Sequence, residues 1–150
     1  MGISEKFIKE GIPYYRGQDI HNFFIEDARP ICIDRTTYNL PSMRRSHLRK
    51  GDVLLSIVGT IGESALVLSD RDATCSCKLA ILRPRNFKMS SMIATYLKTK
   101  YGFSQVEKFK RGAVQMGYLL EDMNQILMPD FSDKLIHMIY ELVNKSHEVM

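Results

Sequence analysis

Two glycine-containing turns that border one apolar segment are the part of the sequence with the clearest chemical potential. Gly51 and Asp52 precede the segment Val53–Val58, and Gly59 and Gly62 follow it. Glycine-rich turns next to a strand can hold a phosphate group, because their backbone N–H groups can converge on one anion. The same spacing is also typical of a hairpin that supports functional loops elsewhere. The first alternative predicts an enzyme, and the second predicts a binding module.

The phosphate-binding alternative lacks the residues that its chemistry needs. A nucleotide loop of the Walker type ends in a glycine, a lysine and a hydroxyl residue, and no such sequence is present. A dinucleotide fingerprint must open a helix, whereas Gly62 is followed by a second apolar strand, Ser64–Leu68. The hairpin interpretation is therefore favoured, with Asp52 expected to satisfy amide groups of its own turn.

Histidine and cysteine residues also form no recognisable catalytic or metal-binding set. The histidines are scattered at His21, His47, His137 and His147. Cys75 and Cys77 have no second pair of ligands at zinc spacing, so we interpret them as two strand cysteines on one face. We therefore expect no catalytic activity, no metal ion and no cofactor.

The composition predicts one globular domain in a reducing compartment. The chain has 150 residues, of which 45% are hydrophobic and 25% charged, which suffices for one core but not for two ordinary domains. Three cysteines and an N-terminus without an apolar leader predict a cytoplasmic protein. No apolar run approaches the roughly 20 residues of a membrane-spanning helix, so we expect no membrane partner.

Positive charge is clustered on two short segments, although the formal net charge is only +4. The first segment contains Arg44, Arg45, His47, Arg49 and Lys50, and the second contains Lys108, Lys110 and Arg111. Most acidic residues lie elsewhere in the chain. Clustered basic loops favour a polyanionic partner, while the alternative is an ordinary solvated charged face.

Apolar periodicity predicts an α+β fold with a twisted, mostly antiparallel β-sheet and packed helices. The strongest strands are expected at Val53–Val58, Ser64–Leu68 and Leu79–Leu82, which are rich in aliphatic residues and bounded by turn formers. Shorter strands are expected within Gly11–Ile20, at Phe23–Ile25, at Ile31–Ile33 and, after a helical turn, within Leu119–Leu127. Residues 34–50 show little periodicity, so we expect an exposed loop or a short helix there.

The C-terminal part of the chain has helical apolar spacing. We expect Ser90 or Ser91 to cap a helix that ends at Gly102, followed by a shorter helical piece over Phe103–Phe109. A last helix is expected to begin near Ser132 and to continue at coiled-coil-like spacing. Its apolar stripe contains Leu135, Met138, Ile139, Leu142 and Val143.

Five segments occur in the order found in the target recognition domain of type I restriction-modification DNA specificity subunits, which this chain resembles. They are Gly11–Ile20, Leu48–Ser56 with Gly59-Thr-Ile-Gly62, Leu79–Pro84, the stretch from Tyr96 through Gln105 to Gly112–Gln115, and Ile126–Pro129. The hairpin segment is the most specific of the five. The resemblance covers roughly residues 7–130, and residues 131–150 are similar to the start of the long helix that follows each such domain.

The resemblance implies a target recognition domain at 1–130 and the start of a spacer or dimerisation helix at 131–150. It implies sequence-specific binding of double-stranded DNA, while a methyltransferase (modification) subunit and a restriction subunit of the complex carry out methylation and cleavage. The last helix would pack against a second recognition domain or a second copy, so the chain is interpreted as a half-subunit or a fragment. Two alternatives stay open: the recognition domain of a fused restriction-methylation protein, and a protein-interaction scaffold that acts through the last helix.

The resemblance and the basic clusters together predict which residues contact DNA. The base-reading candidates are Tyr15, Arg16, Gln18, Arg44, Arg45, His47 and Gln115, since arginine favours guanine and side-chain amides favour adenine. The phosphate-contacting candidates are Lys50, Lys108, Lys110 and Arg111.

Some of these candidates have a structural role as the alternative. One of Tyr14 and Tyr15 is expected in the core, because neighbouring residues on a strand point to opposite faces. Arg16 can instead pair with Asp19 and hold its turn. Gln115 can instead cap backbone groups of its own loop.

Overall fold

The computed structural model describes residues 2–59, 61–110 and 120–149, which form two small sheets with helices packed against them. The strands are, in chain order, β1 (Ile12–Tyr15), β2 (Ile31–Ile33), β3 (Val53–Ser56), β4 (Ser64–Leu66), β5 (Thr74–Cys75) and β6 (Leu79–Leu82). The α-helices are α1 (Arg35–Tyr38), α2 (Phe87–Lys98), α3 (Lys100–Lys110) and α4 (Asp133–Val149). Short 3₁₀ turns occupy Ile3–Lys6, Gly17–Asp19, Ile25–Asp27, Pro41–Ser46 and Leu120–Gln125.

The predicted α+β class is confirmed, with the difference that the strands form two three-stranded sheets. In the first sheet, β1 lies between β2, to which it is antiparallel, and β5, to which it is parallel. In the second sheet, β3 is antiparallel to both β4 and β6. Antiparallel pairing therefore predominates, as the sequence predicts.

Strand β3 is buried on both faces and separates two parts of the core. Val53 and Leu55 belong to a cluster that includes residues of α2, α3 and α4, whereas Leu54 shares a cluster with Tyr15 of the first sheet. A strand that is covered on both sides is apolar at every position, which explains the uninterrupted Val-Leu-Leu sequence. Complete burial of each of these side chains contributes about 1.5–3 kcal/mol of hydrophobic stabilisation.

The strand expected at Phe23–Ile25 is not formed. Only Phe24 makes an isolated bridge to β4, and a 3₁₀ turn follows at once. In that turn Oε1 of Glu26 accepts two successive backbone N–H groups, beginning with that of Leu68 at 2.8 Å. The Glu26 carboxylate thus binds the backbone N–H groups of Leu68 and Ser69, which a longer strand at residues 23–25 would use for strand pairing.

The strand expected before Pro129 is also absent from the described residues. The backbone of Leu127 is bonded to the side chain of Gln105: its N–H donates to Oε1 at 2.7 Å, and its carbonyl oxygen accepts from Nε2 at 2.8 Å. A side-chain amide takes the place of a neighbouring strand here. Because the two residues are far apart in sequence, no local pattern indicates this contact.

Helix α2 begins before the serine caps that the sequence predicts. Asn86 is the N-cap, and its side-chain oxygen accepts the backbone N–H of Lys88 at 3.0 Å. Ser90 and Ser91 lie inside the helix and are buried. Their small side chains belong to the packed face of α2, where Ser90 lies beside Gly51, and this packing role explains why the capping prediction was wrong.

Gly102 does not end α2. That helix ends at Lys98, next to Thr99, whose hydroxyl group donates to the carbonyl oxygen of Tyr96 at 2.7 Å. Gly102 lies in α3 instead, and a Cβ atom at this position would overlap the Tyr96 carbonyl oxygen. Glycine is therefore needed for the close approach of α3 to the end of α2.

Helix α4 begins where the sequence predicts, and its apolar stripe is divided between two environments. Ser132 Oγ accepts the backbone N–H of Leu135 at 3.2 Å, as an N-cap does. Ile139 and Val143 pack into the core, where α4 lies against α2. The remaining members, here called the exposed α4 face, are Leu135, Met138 and Leu142, with exposed fractions of 36%, 50% and 58%.

The two cysteines of the Cys-Ser-Cys segment lie in different environments. Cys75 is buried in β5, and burial raises the pKa of its thiol to about 12, whereas Cys77 is exposed. The expected common strand face is wrong, because β5 ends at Cys75. In the described part of the chain, no group of three His, Cys, Asp or Glu side chains is placed to hold a metal ion. No described helix is long and apolar enough to cross a bilayer.

Candidate nucleic-acid interface

The turn before β3 holds a buried carboxylate. The Asp52 side chain has no exposed surface, and its Oδ2 accepts the backbone N–H of Arg49 at 2.7 Å. The prediction that Asp52 satisfies an amide of its own turn is confirmed. Gly51 has a φ of +89°, and a Cβ atom there would lie 2.8 Å from the Phe87 ring, so this turn requires glycine.

The same carboxylate forms a two-bond ion pair with Arg83, which follows β6. Nε donates to Oδ1 of Asp52 at 2.7 Å, and Nη2 donates to Oδ2 at 2.8 Å. Nη2 also donates to the backbone carbonyl oxygen of His47 at 3.1 Å. Hydrogen bonding to Asp52 raises the pKa of Arg83, so the guanidinium stays charged. A buried carboxylate needs such a cationic partner.

A stack of side chains holds the segment around His47 against α1. The His47 and Tyr38 rings are parallel within 5°, with centroids 3.8 Å apart. His47 Nε2 lies 2.8 Å from the Tyr38 carbonyl oxygen, which can only accept, so Nε2 carries the proton. The Arg35 guanidinium lies over the Tyr38 ring, 5.5 Å from the ring centroid, and Arg35 forms an ion pair with Asp72. The hydrogen bond from Arg35 lowers the pKa of Asp72.

These groups surround a polar cleft of about 560 Å³, here called the recognition cleft. Its lining residues are Tyr38, Arg44, His47, Leu48, Arg49, Asp70, Asp72 and Arg83. Asp72 is neutralised by its ion pair, and Arg44 and Arg49 are exposed without an ion pair to any described residue. The recognition cleft therefore presents two guanidinium groups whose donors face solvent, which is the chemistry that binds phosphates and guanine edges.

A second cleft of about 320 Å³, here called the first-turn cleft, lies around Arg16 and Gln18. Arg16 Nε donates to Asp19 Oδ2 at 3.0 Å, and its backbone N–H donates to the same oxygen at 2.9 Å. Arg16 therefore makes the contacts that its structural alternative predicts, in which it pairs with Asp19 and holds its own turn. Gln18 is exposed, and Gly59 and Lys78 also line this cleft.

Tyr15 is a core residue, which corrects its assignment as a base-reading candidate. Its side chain is fully buried, and Arg71 Nη2 donates to its hydroxyl oxygen at 3.1 Å. Burial raises the pKa of Tyr15. Tyr14 is also buried, at 6% exposure, so both tyrosines are in the core rather than one. The physical reason is that β1 is covered on both faces.

Arg45, Lys50 and Lys108 do not line either cleft. Arg45 is exposed on the 3₁₀ turn Pro41–Ser46, and Lys50 is exposed with its Nζ 5.3 Å from the Phe87 ring centroid. Lys108 is exposed on α3, and Lys110 is the last residue of that helix. Arg111 and Gln115 lie outside the described residues. The structure thus brings Arg44 and His47 together in one cleft and Arg16 and Gln18 in another, and it places Lys108 and Lys110 on a helix.

The sequence interpretation placed Arg49 in the first basic segment without selecting it as a contact residue, and it missed Arg83 as part of the recognition cleft. One signal was available, because an aspartate in a buried Gly-Asp turn predicts a cationic partner. The identity of that partner was not predictable locally, since Asp52 and Arg83 are 31 residues apart in the chain.

Solved structures with the same fold were found, although no protein-family model and no curated protein matches the sequence. One belongs to work on complex assembly and conformational transition of the type I R-M system, with a TM-score of 0.59 and 17% identity. Another is the crystal structure of the HsdS subunit from Thermoanaerobacter tengcongensis, with a TM-score of 0.52 and 19% identity. Each likeness covers 99% of this chain but only 34% and 35% of the respective neighbour. The predicted resemblance to type I specificity subunits is confirmed as a shared fold, and the chain spans about a third of the length of these neighbours.

Proposed function

We propose that this chain is a non-catalytic DNA recognition module of a type I restriction-modification system and binds duplex DNA in a sequence-specific way. The observation that carries the proposal is the fold likeness to type I specificity subunits over 99% of the chain. In this assignment residues 1–130 recognise DNA, and residues 131–150 begin a spacer helix. Methylation and cleavage belong to a methyltransferase subunit and a restriction subunit of the complex.

The chemistry of the recognition cleft supports the same proposal. Arg44 and Arg49 present guanidinium donors to solvent, whereas Arg35 and Arg83 are held in place by ion pairs with aspartates. A fixed set of cations beside free donors suits a duplex, because phosphate contacts set the register and base contacts supply specificity. We assign base reading to Arg44, with Arg45 on the same 3₁₀ turn and Gln18 in the first-turn cleft as further candidates.

Assembly through α4 is the second function for which the structure offers an observation. The exposed α4 face consists of Leu135, Met138 and Leu142, which lie three and four residues apart and so form one stripe. We assign this face to contact with a second recognition domain, either in a second copy or in another chain. A pure interaction scaffold would use the same face but would not depend on the recognition cleft.

The decisive experiment is selection of binding sites from random duplexes by the full chain together with the methyltransferase subunit. We expect enrichment of one motif, and binding that weakens with salt with a log–log slope of about −0.9 for each neutralised phosphate. Arg44→Ala should relax the preference at one base pair, whereas Lys108→Ala should weaken binding to all sequences alike. Arg29→Ala is the matched control, because Arg29 is an exposed arginine outside both clefts. Binding that enriches no motif, or that does not respond to salt, would contradict the proposal.

A further inference from the structure

The register of the second sheet brings Arg83 and Asp52 together. Val53 is paired with Leu82 at the end of the β3–β6 ladder. Asp52 precedes Val53, and Arg83 follows Leu82 on the antiparallel strand, so the two residues occupy the next position beyond the last pair. The Asp52–Arg83 ion pair thus joins the two strands through side chains at the position where their backbone pairing ends.

The two partners of the ion pair differ in solvent exposure, because Asp52 lies in the core and Arg83 reaches the surface. The Asp52 side chain is 0% exposed, whereas the Arg83 side chain is 40% exposed and lines the recognition cleft. One edge of the guanidinium, formed by Nε and Nη2, is bonded to the buried carboxylate. Arg83 therefore extends from an anchor inside the core to the surface of the cleft.

Arg83 also connects this anchor to the segment 44–49. Its Nη2 donates to the carbonyl oxygen of His47, and the next residue, Leu48, donates its backbone N–H to the Ala73 carbonyl oxygen at 2.9 Å. The segment is thus bonded to the strand β5 region on one side and to Arg83 on the other. The Tyr38–His47 stack and hydrogen bonds between Ser46 and Thr74 also hold the segment, and Arg83 is the cation that joins these supports at the cleft.

We infer that Arg83 is a positioning residue for DNA recognition, which holds the segment 44–49 in the geometry that base contacts require. This inference rests on the proposed function. Base contacts demand a fixed geometry, while phosphate contacts tolerate movement, so loss of Arg83 reduces specificity more than it reduces total affinity. When the base-reading segment is disordered in the free protein, the free-energy cost of ordering it lowers the affinity for the specific site, where base contacts require an ordered segment. Nonspecific binding through phosphates does not carry this cost.

A plain phosphate contact by Arg83 would give a different result. Removing one phosphate contact lowers affinity for every sequence alike and changes the log–log salt slope by about 0.9. A lysine at position 83 would preserve such a contact, because it keeps the positive charge. A lysine cannot form the two parallel bonds to Asp52 together with the bond to His47, since it has one donor atom.

The test compares Arg83→Lys and Arg83→Gln with Arg85→Gln in the full chain, with the methyltransferase subunit present. Arg85 is the matched control, because it is an exposed arginine two residues away. The measured quantity is the ratio of affinities for the selected duplex and for a scrambled duplex. We expect this ratio to fall by about tenfold in both Arg83 variants, the size of one lost base-pair contact, and to be unchanged in Arg85→Gln. The salt slope of Arg83→Lys is expected to equal that of the wild type.

Hydrogen exchange of the free proteins gives a readout that needs no DNA. Amides of the segment 44–49 should exchange faster in both Arg83 variants than in Arg85→Gln, while urea unfolding shows whether each variant is folded. A wild-type ratio kept by Arg83→Lys and Arg83→Gln would overturn the role of Arg83 and leave the proposed function intact. A wild-type protein without sequence preference would overturn the proposed function and the recognition role of Arg83 with it.

Discussion

The imidazole ring of His47 lies parallel to the phenol ring of Tyr38, with the ring centroids 3.8 Å apart. The protonated Nε2 atom of the same histidine lies 2.8 Å from the carbonyl oxygen of Tyr38. One residue of the recognition cleft is therefore held to the last residue of α1 by both its ring face and one ring nitrogen. The other ring nitrogen, Nδ1, makes no hydrogen bond to a described residue, and the proposed base contact is assigned to this atom.

Two substitutions of His47 should separate its support role from base reading. His47→Ala removes the stacked ring and the hydrogen bond, so we expect the free energy of unfolding to fall by about 1–2 kcal/mol. His47→Phe keeps a ring for stacking and should lose only about 1 kcal/mol. Urea unfolding measures both values. If base reading by Nδ1 matters, both variants lose DNA specificity equally, whereas a purely supporting ring predicts that His47→Phe retains it.

Gly102→Ala should destabilise the protein by about 3 kcal/mol, because the new Cβ atom overlaps the carbonyl oxygen of Tyr96 and forces α3 away from α2. Gly59→Ala is the control. Gly59 has a φ of +81° with no atom within 4 Å of the Cβ position, so only the backbone penalty of about 1–2 kcal/mol applies. Urea unfolding of both variants checks the difference. Equal losses would show that the α2–α3 approach is easily relaxed.

Asp72 should make the stability of the protein depend on pH in the acidic range. The hydrogen bond from Arg35 lowers the pKa of Asp72 in the folded state, so the stabilisation is complete above the unfolded pKa of about 3.9 and is lost as the pH falls through the lower folded value. Asp72→Asn should therefore be less stable than the wild type at pH 7, and the difference should shrink as the pH falls through the lowered pKa of Asp72. Unfolding curves measured across the acidic range test this. Asp70→Asn is the matched control at an exposed aspartate without an ion pair to a described residue, and it should change the stability at pH 7 by no more than about 0.5 kcal/mol.

Substitutions on two sides of α4 should separate assembly from folding. Met138 is 50% exposed, so Met138→Asp should change the free energy of unfolding by no more than about 0.5 kcal/mol. The same change should weaken association with a second copy or a second recognition domain, measured by sedimentation. Val143 is 8% exposed and packs in the core, so Val143→Asp should unfold the protein. Unchanged sedimentation of Met138→Asp would argue against α4 as the assembly surface.

Local patterns predicted the second sheet well. Strands β3, β4 and β6 were expected because short aliphatic runs between glycine, aspartate and proline residues have few other stable conformations. The start of α4 was expected for a similar reason, since Ser132 and the apolar stripe lie close together in the chain. In each case the residues that determine the structure are near neighbours in sequence.

Several of the predictions that the structure corrected depended on distant contacts. Tyr15 was expected to alternate between core and surface with Tyr14, but partners from other parts of the chain cover both sides of β1. Gly102 was interpreted as a helix end, whereas the carbonyl oxygen of Tyr96 determines its role. Local spacing cannot reveal which group will lie opposite a residue after folding.

The sequence by itself determined the α+β class, the hairpin around β3, the final helix and the positive charge of the segment 44–50. These properties follow from side-chain periodicity and charge, which are local. Only the tertiary structure decided that Arg83 reaches the buried Asp52 and the His47 carbonyl oxygen, and that Arg44 and Arg49 share one cleft with them. The physical reason is strand register: the pairing of Val53 with Leu82 sets which residues meet beyond the ladder, and that pairing is fixed by packing of the whole sheet.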